Sequence, residues 1–170
     1  IDSLLKKSEE KKYDVPKLEE YPDNLIKNMP CINIPSWNKD NIPFEQIQKF
    51  NIRWYPPEKQ ILIPNYDLDG RLIGIRVRET EEENIDAFGK YHPATISNIT
   101  YRFSTALYLY GIYQNQEAIR KTRRVFVFEG EKSVLAAGSY LKDNSSVALL
   151  GSSVSVYQVE MLLGLGVSEI

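Results

Sequence analysis

One segment, residues 125–133, constrains the fold of this chain more than any other. Four apolar residues, Val125 to Phe128, precede Glu129 and Gly130, and helix-forming residues follow. This order is typical of a buried strand that ends in an acid and turns into a helix. Open α/β sheets carry their chemistry outside the carboxyl ends of their strands, which makes Glu129 a candidate functional residue. Taken alone, an acid beside a glycine is more often part of a surface turn.

The α/β pattern continues to the end of the sequence. After a first strand over 125–129, apolar spacing predicts a helix over about 131–142 and a strand over 146–150. Gly151 begins a turn, a second helix spans about 154–164, and residues 165–170 begin a third strand. Strands that alternate with helices indicate a parallel sheet with right-handed crossovers.

Upstream, two apolar segments flank a turn signal and predict a β-hairpin. The strands are residues 60–65 and 71–78, and Asp69-Gly70 supplies the positive φ that a hairpin turn needs. Side-chain alternation places Ile73, Ile75 and Val77 on one face of the second strand. The other face would carry Leu72, Gly74, Arg76 and Arg78. An acidic loop is predicted to follow, from Glu79 to Asp86.

Composition limits the classes of function. Apolar residues make up 42% and charged residues 26% of the 170, as in an ordinary soluble domain, and a net charge of −2 leaves nucleic-acid binding to local clusters. A single cysteine, Cys31, and a single histidine, His92, exclude an internal disulfide, a cysteine-rich zinc site and a multi-histidine metal site. No apolar run reaches the ~18 residues of a membrane span, so a cytoplasmic location is expected.

The strand that ends in Glu129-Gly130 resembles the Toprim domain shared by bacterial-type primases, topoisomerases and some nucleases. In that family a helix follows the Glu-Gly pair, a second strand ends near Gly-Ser, and a third strand ends in an Asp-x-Asp pair. The chain supplies Glu129-Gly130, the helix from 131 and Gly151-Ser152-Ser153. The sequence stops at Ile170, before the position of the Asp-x-Asp pair, which supplies the main magnesium ligands in the family.

Upstream motifs favour the primase branch of this family. Ile63-Pro64, the segment Gly70 to Arg78, the pair Lys90-Tyr91 and the segment Leu109-Tyr110-Gly111-Ile112 resemble the primase core pattern in order and spacing. The sequence looks more like a primase of a phage or mobile element than a cellular one. The resemblance implies an α/β fold: a charged linker over 1–23, a mixed α+β subdomain over 24–121, and the first part of a Rossmann-like, parallel-sheet Toprim fold over 122–170.

The same resemblance implies a function and its partners. The parent protein would be a DNA primase, a nucleotidyltransferase that makes short RNA primers on a single-stranded DNA template from nucleoside triphosphates. Its cofactor would be Mg²⁺ or Mn²⁺, a replicative helicase is a further candidate partner, and the present chain alone is expected to be inactive. A strand-cleaving Toprim nuclease or topoisomerase-like enzyme and a non-catalytic single-stranded DNA binding module stay open as alternatives.

Site residues follow from the resemblance and from charge. Glu129 is the predicted catalytic carboxylate, as metal ligand or general base, and Gly130 and Gly151 are predicted structural turns. The predicted ligands of nucleotide or nucleic-acid phosphates are Arg76, Arg78, Lys90 and Lys132. Guanidinium groups bind phosphate oxygens in a bidentate manner, and a lysine adds a point charge. The alternative for Arg76 and Lys132 is a solvated surface position.

Overall fold

The computed structural model of the chain describes residues 16–141 and 143–170, and its residues from 19 onward divide into two units, Glu19–Phe103 and Ser104–Ile170. Of the predicted linker over 1–23, residues 1–15 lie outside the described part of the chain. Near the end of that linker, Tyr21 is buried, and its backbone N–H donates to the carbonyl of Leu72 at 2.8 Å. This end of the predicted linker is therefore packed into the first unit.

The two units divide after Phe103, whereas the predicted boundary lies between residues 121 and 122. Two contacts explain why the intervening residues join the second unit. Tyr110 forms an antiparallel bridge with Ala148, with N–O distances of 2.9 and 3.0 Å. The buried Asn115 amide donates to the Ser146 carbonyl at 2.8 Å. The naming of the two units as a primase subdomain and a Toprim domain stays a prediction.

The first unit combines short helices with an antiparallel sheet. Its helices are α1 (Asn24–Lys27), α2 (Pro35–Lys39), α3 (Phe44–Lys49) and α4 (Glu82–Phe88). Four strands form one sheet in chain order, namely β1 (Arg53–Tyr55), β2 (Gln60–Tyr66), β3 (Leu72–Arg78) and β4 (Tyr91–Pro93). A separate pair consists of β5 (Thr95–Ile96) and β6 (Ile99–Thr100).

The predicted hairpin is confirmed, and its turn is fixed by one carboxylate. Asp67 Oδ1 accepts from the backbone N–H of Asp69 at 3.0 Å and of Arg71 at 2.9 Å. Asp67 Oδ2 pairs with the Arg71 guanidinium at 2.6 Å. Gly70 has a φ of 81°, the left-handed conformation that a glycine adopts without strain.

A β-bulge changes one predicted face of β3. The register shifts between Asn65 and Tyr66, so that Asn65 faces Gly74 while Tyr66 faces Leu72. An extra residue on one strand interrupts side-chain alternation. Leu72, which we predicted on the face of the two arginines, therefore packs in the same core cluster as Ile75 and Val77.

The acidic segment after β3 was predicted as a loop, and that prediction is wrong. Residues Glu82–Phe88 form the helix α4. Glu82 and Glu83 lie in its first turn, where negative charge interacts favourably with the helix dipole. Gly89, with a φ of 82°, follows the helix and ends it. The acidic residues that predicted a loop thus form the N-terminal turn of a helix.

The second unit has its strands and helices in the predicted order, strand–helix–strand–helix. It contains α5 (Ile112–Thr122), β7 (Phe126–Phe128), α6 (Glu131–Tyr140), β8 (Ser146–Ala148) and α7 (Val156–Gly164). The strands β7 and β8 are parallel. A capping box between Ser155 and Gln158 starts α7. The start of a third strand is confirmed as a parallel bridge between Arg124 and Glu169.

The predicted α/β fold class is thus observed in both units, one antiparallel and one parallel. Within the described residues, no helix has the length and apolar character needed to span a membrane.

Candidate functional site

Glu129 lies where the sequence placed it, directly after β7 and before α6, and it is solvent-exposed. Its backbone carbonyl accepts from the N–H of Leu150 at 2.9 Å, and the Phe128 carbonyl accepts from the N–H of Leu149 at 2.9 Å. These two bonds continue the ladder between β7 and β8 beyond the last paired residues. The position of the Glu129 backbone is therefore fixed by the end of the neighbouring strand.

The order of strands around β7 makes this position a topological switch point. The β8 strand pairs with one edge of β7, through the bond from Phe126 N–H to the Ser145 carbonyl at 2.8 Å. The N–H of the preceding Val125 donates to the Glu169 carbonyl at 3.0 Å, on the other edge. The first strand thus lies between the second strand and the start of the third. In open α/β sheets, ligands bind outside the carboxyl end of a strand at which the order reverses.

Gly130 and Gly151 lie in the turns after β7 and β8, but neither turn requires a glycine for its own geometry. Gly130 has a φ of −132°, and a Cβ added at either position would meet no heavy atom within 4 Å. The left-handed residue in this region is Leu150, with a φ of 59°. For a bulky residue, such a φ is an uncommon and strained conformation. The roles of both glycines stay predictions.

Two charged residues occupy the first turn of α6. Glu131 is buried, with 2% of its surface exposed, and Lys132 is partly buried. The acid lies at the positive end of the helix dipole, which stabilises its charge. Glu131 was not among the predicted site residues. The sequence carries no signal of its burial, because glutamates are almost never fully buried.

The described residues do not by themselves form a complete site for a divalent cation. Mg²⁺ takes about six ligands, most of them oxygens, and Glu129 supplies one carboxylate. No group of three or more acidic, histidine or cysteine side chains suitable for a metal ion occurs in the described parts of the chain. Water and substrate phosphates commonly supply the remaining ligands of Mg²⁺.

The predicted basic residues of β3 are brought together by a tyrosine on the neighbouring strand. Arg78 faces Tyr91 directly in the β3–β4 register, and Arg76 faces Pro93. The guanidinium carbon of Arg78 lies 5.0 Å from the centroid of the Tyr91 ring, and that of Arg76 lies 5.2 Å away. Arg78 Nη1 also donates to Tyr91 Oη at 2.9 Å. Both arginines are therefore held beside one aromatic ring by cation–π attraction.

Lys90 is exposed and precedes β4. Its carbonyl accepts from the Glu79 N–H at 3.1 Å, which extends the β3–β4 ladder by one pair. Because successive side chains of a strand alternate, we place Lys90 and His92 on the face opposite to Tyr91. The two arginines and Lys90 thus flank the edge strand of the sheet from different sides.

A buried carboxylate that sequence reasoning missed organises this edge strand. Glu79 is 2% exposed. It accepts from Gln60 Nε2 at 2.6 Å and from Asn84 Nδ2 at 3.2 Å, and His92 Nε2 lies 2.7 Å from its Oε1. These partners belong to β2, α4 and β4. The sequence shows only an acid after a strand with two arginines, at the start of the segment predicted as an acidic loop.

The predicted site residues therefore fall into two groups in different units. Glu129, Gly130, Lys132 and Gly151 belong to the second unit, whereas Arg76, Arg78 and Lys90 belong to the first.

Comparison with solved structures identifies the fold. The chain matches a DnaG primase catalytic domain bound to single-stranded DNA with a TM-score of 0.64 and 20% identity over 84% of its length. It matches the Aquifex aeolicus primase with a TM-score of 0.64 and 19% identity over 96% of its length. It matches the E. coli primase catalytic core with a TM-score of 0.60 and 21% identity over 77% of its length. At these identities the likeness shows a primase-like fold, and it bears out the predicted fold class.

Comparison with curated sequences finds a relative in a prophage. The chain is 37% identical over 137 residues to the SPbeta prophage-derived uncharacterized protein YorJ of Bacillus subtilis, which covers 79% of the chain. The chain spans 36% of that relative and about half of the primase chains it matches. No protein-family model matches the sequence.

Proposed function

We propose that the chain is part of a DNA primase that makes short RNA primers on single-stranded DNA. The observation that carries the proposal is the position of Glu129, which directly follows the middle strand at a switch point in a primase-like fold. A neighbour with this fold is described as bound to single-stranded DNA. The prophage relative agrees with a phage or mobile-element origin.

The proposed reaction is nucleotidyl transfer. The 3′-hydroxyl of the growing primer attacks the α-phosphorus of a nucleoside triphosphate, a new O–P bond forms, and pyrophosphate leaves. Glu129 is proposed to act at this reacting end, either by accepting the hydroxyl proton or as one ligand of Mg²⁺ or Mn²⁺. When bound, such a cation would neutralise charge on the phosphates.

The basic residues are proposed to contact phosphates. Arg78 is the strongest candidate, because Tyr91 holds its guanidinium in place while the group keeps further donors available for phosphate oxygens. Arg76, beside the same ring, and the exposed Lys90 would add positive charge along the edge strand. Lys132 would act near Glu129. A replicative helicase is a further proposed partner of the whole protein.

Primer synthesis by the longest natural form of the protein tests the proposal. The assay uses single-stranded DNA, labelled ribonucleotides and Mg²⁺, and it compares Glu129→Gln with Glu117→Gln, which changes an exposed acid of α5. We expect short RNA products from the parent and from Glu117→Gln, and a loss of at least about a hundredfold in Glu129→Gln.

Two outcomes would overturn the primase proposal, and a third would overturn only the role of Glu129. Magnesium-dependent cleavage of the DNA without RNA synthesis would assign the protein to the strand-cleaving enzymes. Tight DNA binding with neither reaction would indicate a non-catalytic binding module. Equal synthesis by both variants would remove Glu129 from the reaction.

A further inference from the structure

We propose that Phe88 and His92 form a stacking platform for a nucleobase of single-stranded nucleic acid, beside the phosphate contact of Lys90. The proposal rests on the proposed function and adds to it a subsite that reads the flat face of a base. Proteins that bind single strands combine cations for the backbone with aromatic rings on which bases stack. Residues 88–92 supply both within five positions.

The first observation is the exposure of the Phe88 ring. The side chain ends α4 and is 67% exposed. Isolated exposed apolar residues are common and mean little by themselves. Phe88 differs because its ring lies 5.9 Å from the ring of His92, centroid to centroid, at an interplanar angle of 53°. Two tilted rings therefore stand together at the edge of the sheet, and one of them presents most of its surface to solvent.

The second observation is that the His92 ring is held in a fixed orientation. Its Nε2 lies 2.7 Å from the buried Glu79 Oε1, and its Nδ1 lies 3.0 Å from the Pro93 carbonyl. Glu79 in turn is held by the amides of Gln60 and Asn84. A ring that is already oriented loses little conformational freedom when a ligand binds.

The third observation is the approach to the ring. Gly89 follows Phe88, and a Cβ added there would meet no heavy atom within 4 Å. Lys90 comes next and is exposed. A strand whose base stacks on Phe88 would bring its adjacent phosphates past an open backbone to this ammonium group. Because stacking needs only the flat face of a base, the subsite is expected to tolerate any sequence.

Binding of labelled oligo-dT to the whole chain, measured by fluorescence anisotropy, tests the proposal. The variants are Phe88→Ala, Phe88→Leu and Phe88→Trp. The matched control is Ile99→Ala, which removes an apolar side chain of the same unit that is 48% exposed. We expect Phe88→Ala and Phe88→Leu to weaken binding at least about fivefold. Phe88→Trp should retain binding, and Ile99→Ala should not differ from the parent.

An abasic oligonucleotide of the same length separates base stacking from charge. On this ligand the difference between the parent and Phe88→Ala should vanish. The salt dependence of oligo-dT binding should be the same for both proteins, since stacking releases no counterions. Lys90→Ala should instead reduce the slope of log K against log salt by about 0.7.

The outcomes distinguish this inference from the proposed function. If the parent binds oligo-dT and Phe88→Ala binds equally well, the platform is wrong while the primase proposal stands. If Phe88→Leu binds like the parent, the ring serves as an apolar docking point and not for stacking. If the parent does not bind oligo-dT at all, the platform is wrong, whereas the proposed function is still decided by primer synthesis with the longest natural form of the protein.

Discussion

The Arg78 guanidinium both stacks on Tyr91, 5.0 Å from the ring centroid, and donates to its hydroxyl at 2.9 Å. Arg76 shares the same ring at 5.2 Å. One tyrosine therefore orients two cations, and the proposed phosphate contacts depend on a neutral residue.

Tyr91→Leu removes two cation–π contacts of about 0.5–1 kcal/mol each, so it is expected to weaken binding of single-stranded DNA by about five- to thirtyfold. Tyr91→Phe keeps the ring and should lose less affinity for single-stranded DNA than Tyr91→Leu. Binding isotherms at several salt concentrations check this. A slope of log K against log salt that stays at the parent value in Tyr91→Phe would show that both arginines still reach the phosphates. Equal binding by the parent and Tyr91→Leu would contradict the role of the ring.

The Glu79 cluster predicts a large cost for a nearly isosteric change. All three neighbours of its carboxylate can donate, so the amide nitrogen of Glu79→Gln would face donors in a buried position. We expect a loss of about 1–3 kcal/mol in the free energy of unfolding. Urea titration of the whole chain measures it, with Asp86→Asn on the exposed side of α4 as control, for which we expect less than about 0.5 kcal/mol. A loss in Glu79→Gln no larger than in the control would show that the cluster is not structural.

Local patterns in the sequence predicted the elements around Glu129 well. The apolar run before Glu129 and the helical spacing after it depend on short-range periodicity, and the structure has β7 and α6 there. The same holds for the hairpin, because Asp69-Gly70 is a local signal and Gly70 has the positive φ that this signal predicts. The resemblance to primases gave the fold class, and the solved structures agree with it.

What escaped prediction depends on contacts between residues distant in the sequence. The bulge that moves Leu72 into the core and the hydrogen bond from Gln60 to the buried Glu79 both depend on strand register. The stacking of two arginines on Tyr91 requires the β3–β4 pairing. A solvated and a buried acid look alike in a sequence, because burial is decided by partners that periodicity does not identify.

Gly74 is required because an aromatic ring lies over it. A Cβ built at this position would overlap the ring of Phe103. Gly74→Ala is therefore expected to lower the free energy of unfolding by about 1–3 kcal/mol, as overpacking does in cores. In a Phe103→Ala background the same change should cost less than about 0.5 kcal/mol, since the ring is gone. Gly164→Ala, at the end of α7 with open space around its Cβ position, is the control and should be neutral or stabilising. Equal costs of Gly74→Ala in both backgrounds would contradict the overlap.

Alkaline pH should destabilise the first unit, because the phenol of Tyr66 is buried. Burial raises the pKa of Tyr66 above its ordinary value of 10.0. A group whose pKa is higher in the folded state contributes stability that is full below the unfolded pKa and is lost as pH rises through the folded pKa. The free energy of unfolding should therefore fall above about pH 10, and it should fall less steeply in Tyr66→Phe. Chemical denaturation between pH 8 and 11.5 measures both slopes. Equal slopes would assign the loss to other groups.

Leu150 connects backbone strain to the position of Glu129. Its φ of 59° is costly for a bulky residue, and its N–H donates to the Glu129 carbonyl at 2.9 Å. Asparagine tolerates this conformation, whereas a β-branched side chain does not. We expect Leu150→Asn to change the free energy of unfolding by less than about 1 kcal/mol and Leu150→Val to lower it by about 1–2 kcal/mol. Urea titration gives these values, and primer synthesis by the same variants gives the functional readout. If the strained turn fixes Glu129, Leu150→Val should lose more primer synthesis than its fraction of unfolded protein at the assay temperature explains. Leu150→Asn should keep the primer synthesis of the parent. Full synthesis by a destabilised Leu150→Val would show that the turn supports the fold without positioning the carboxylate.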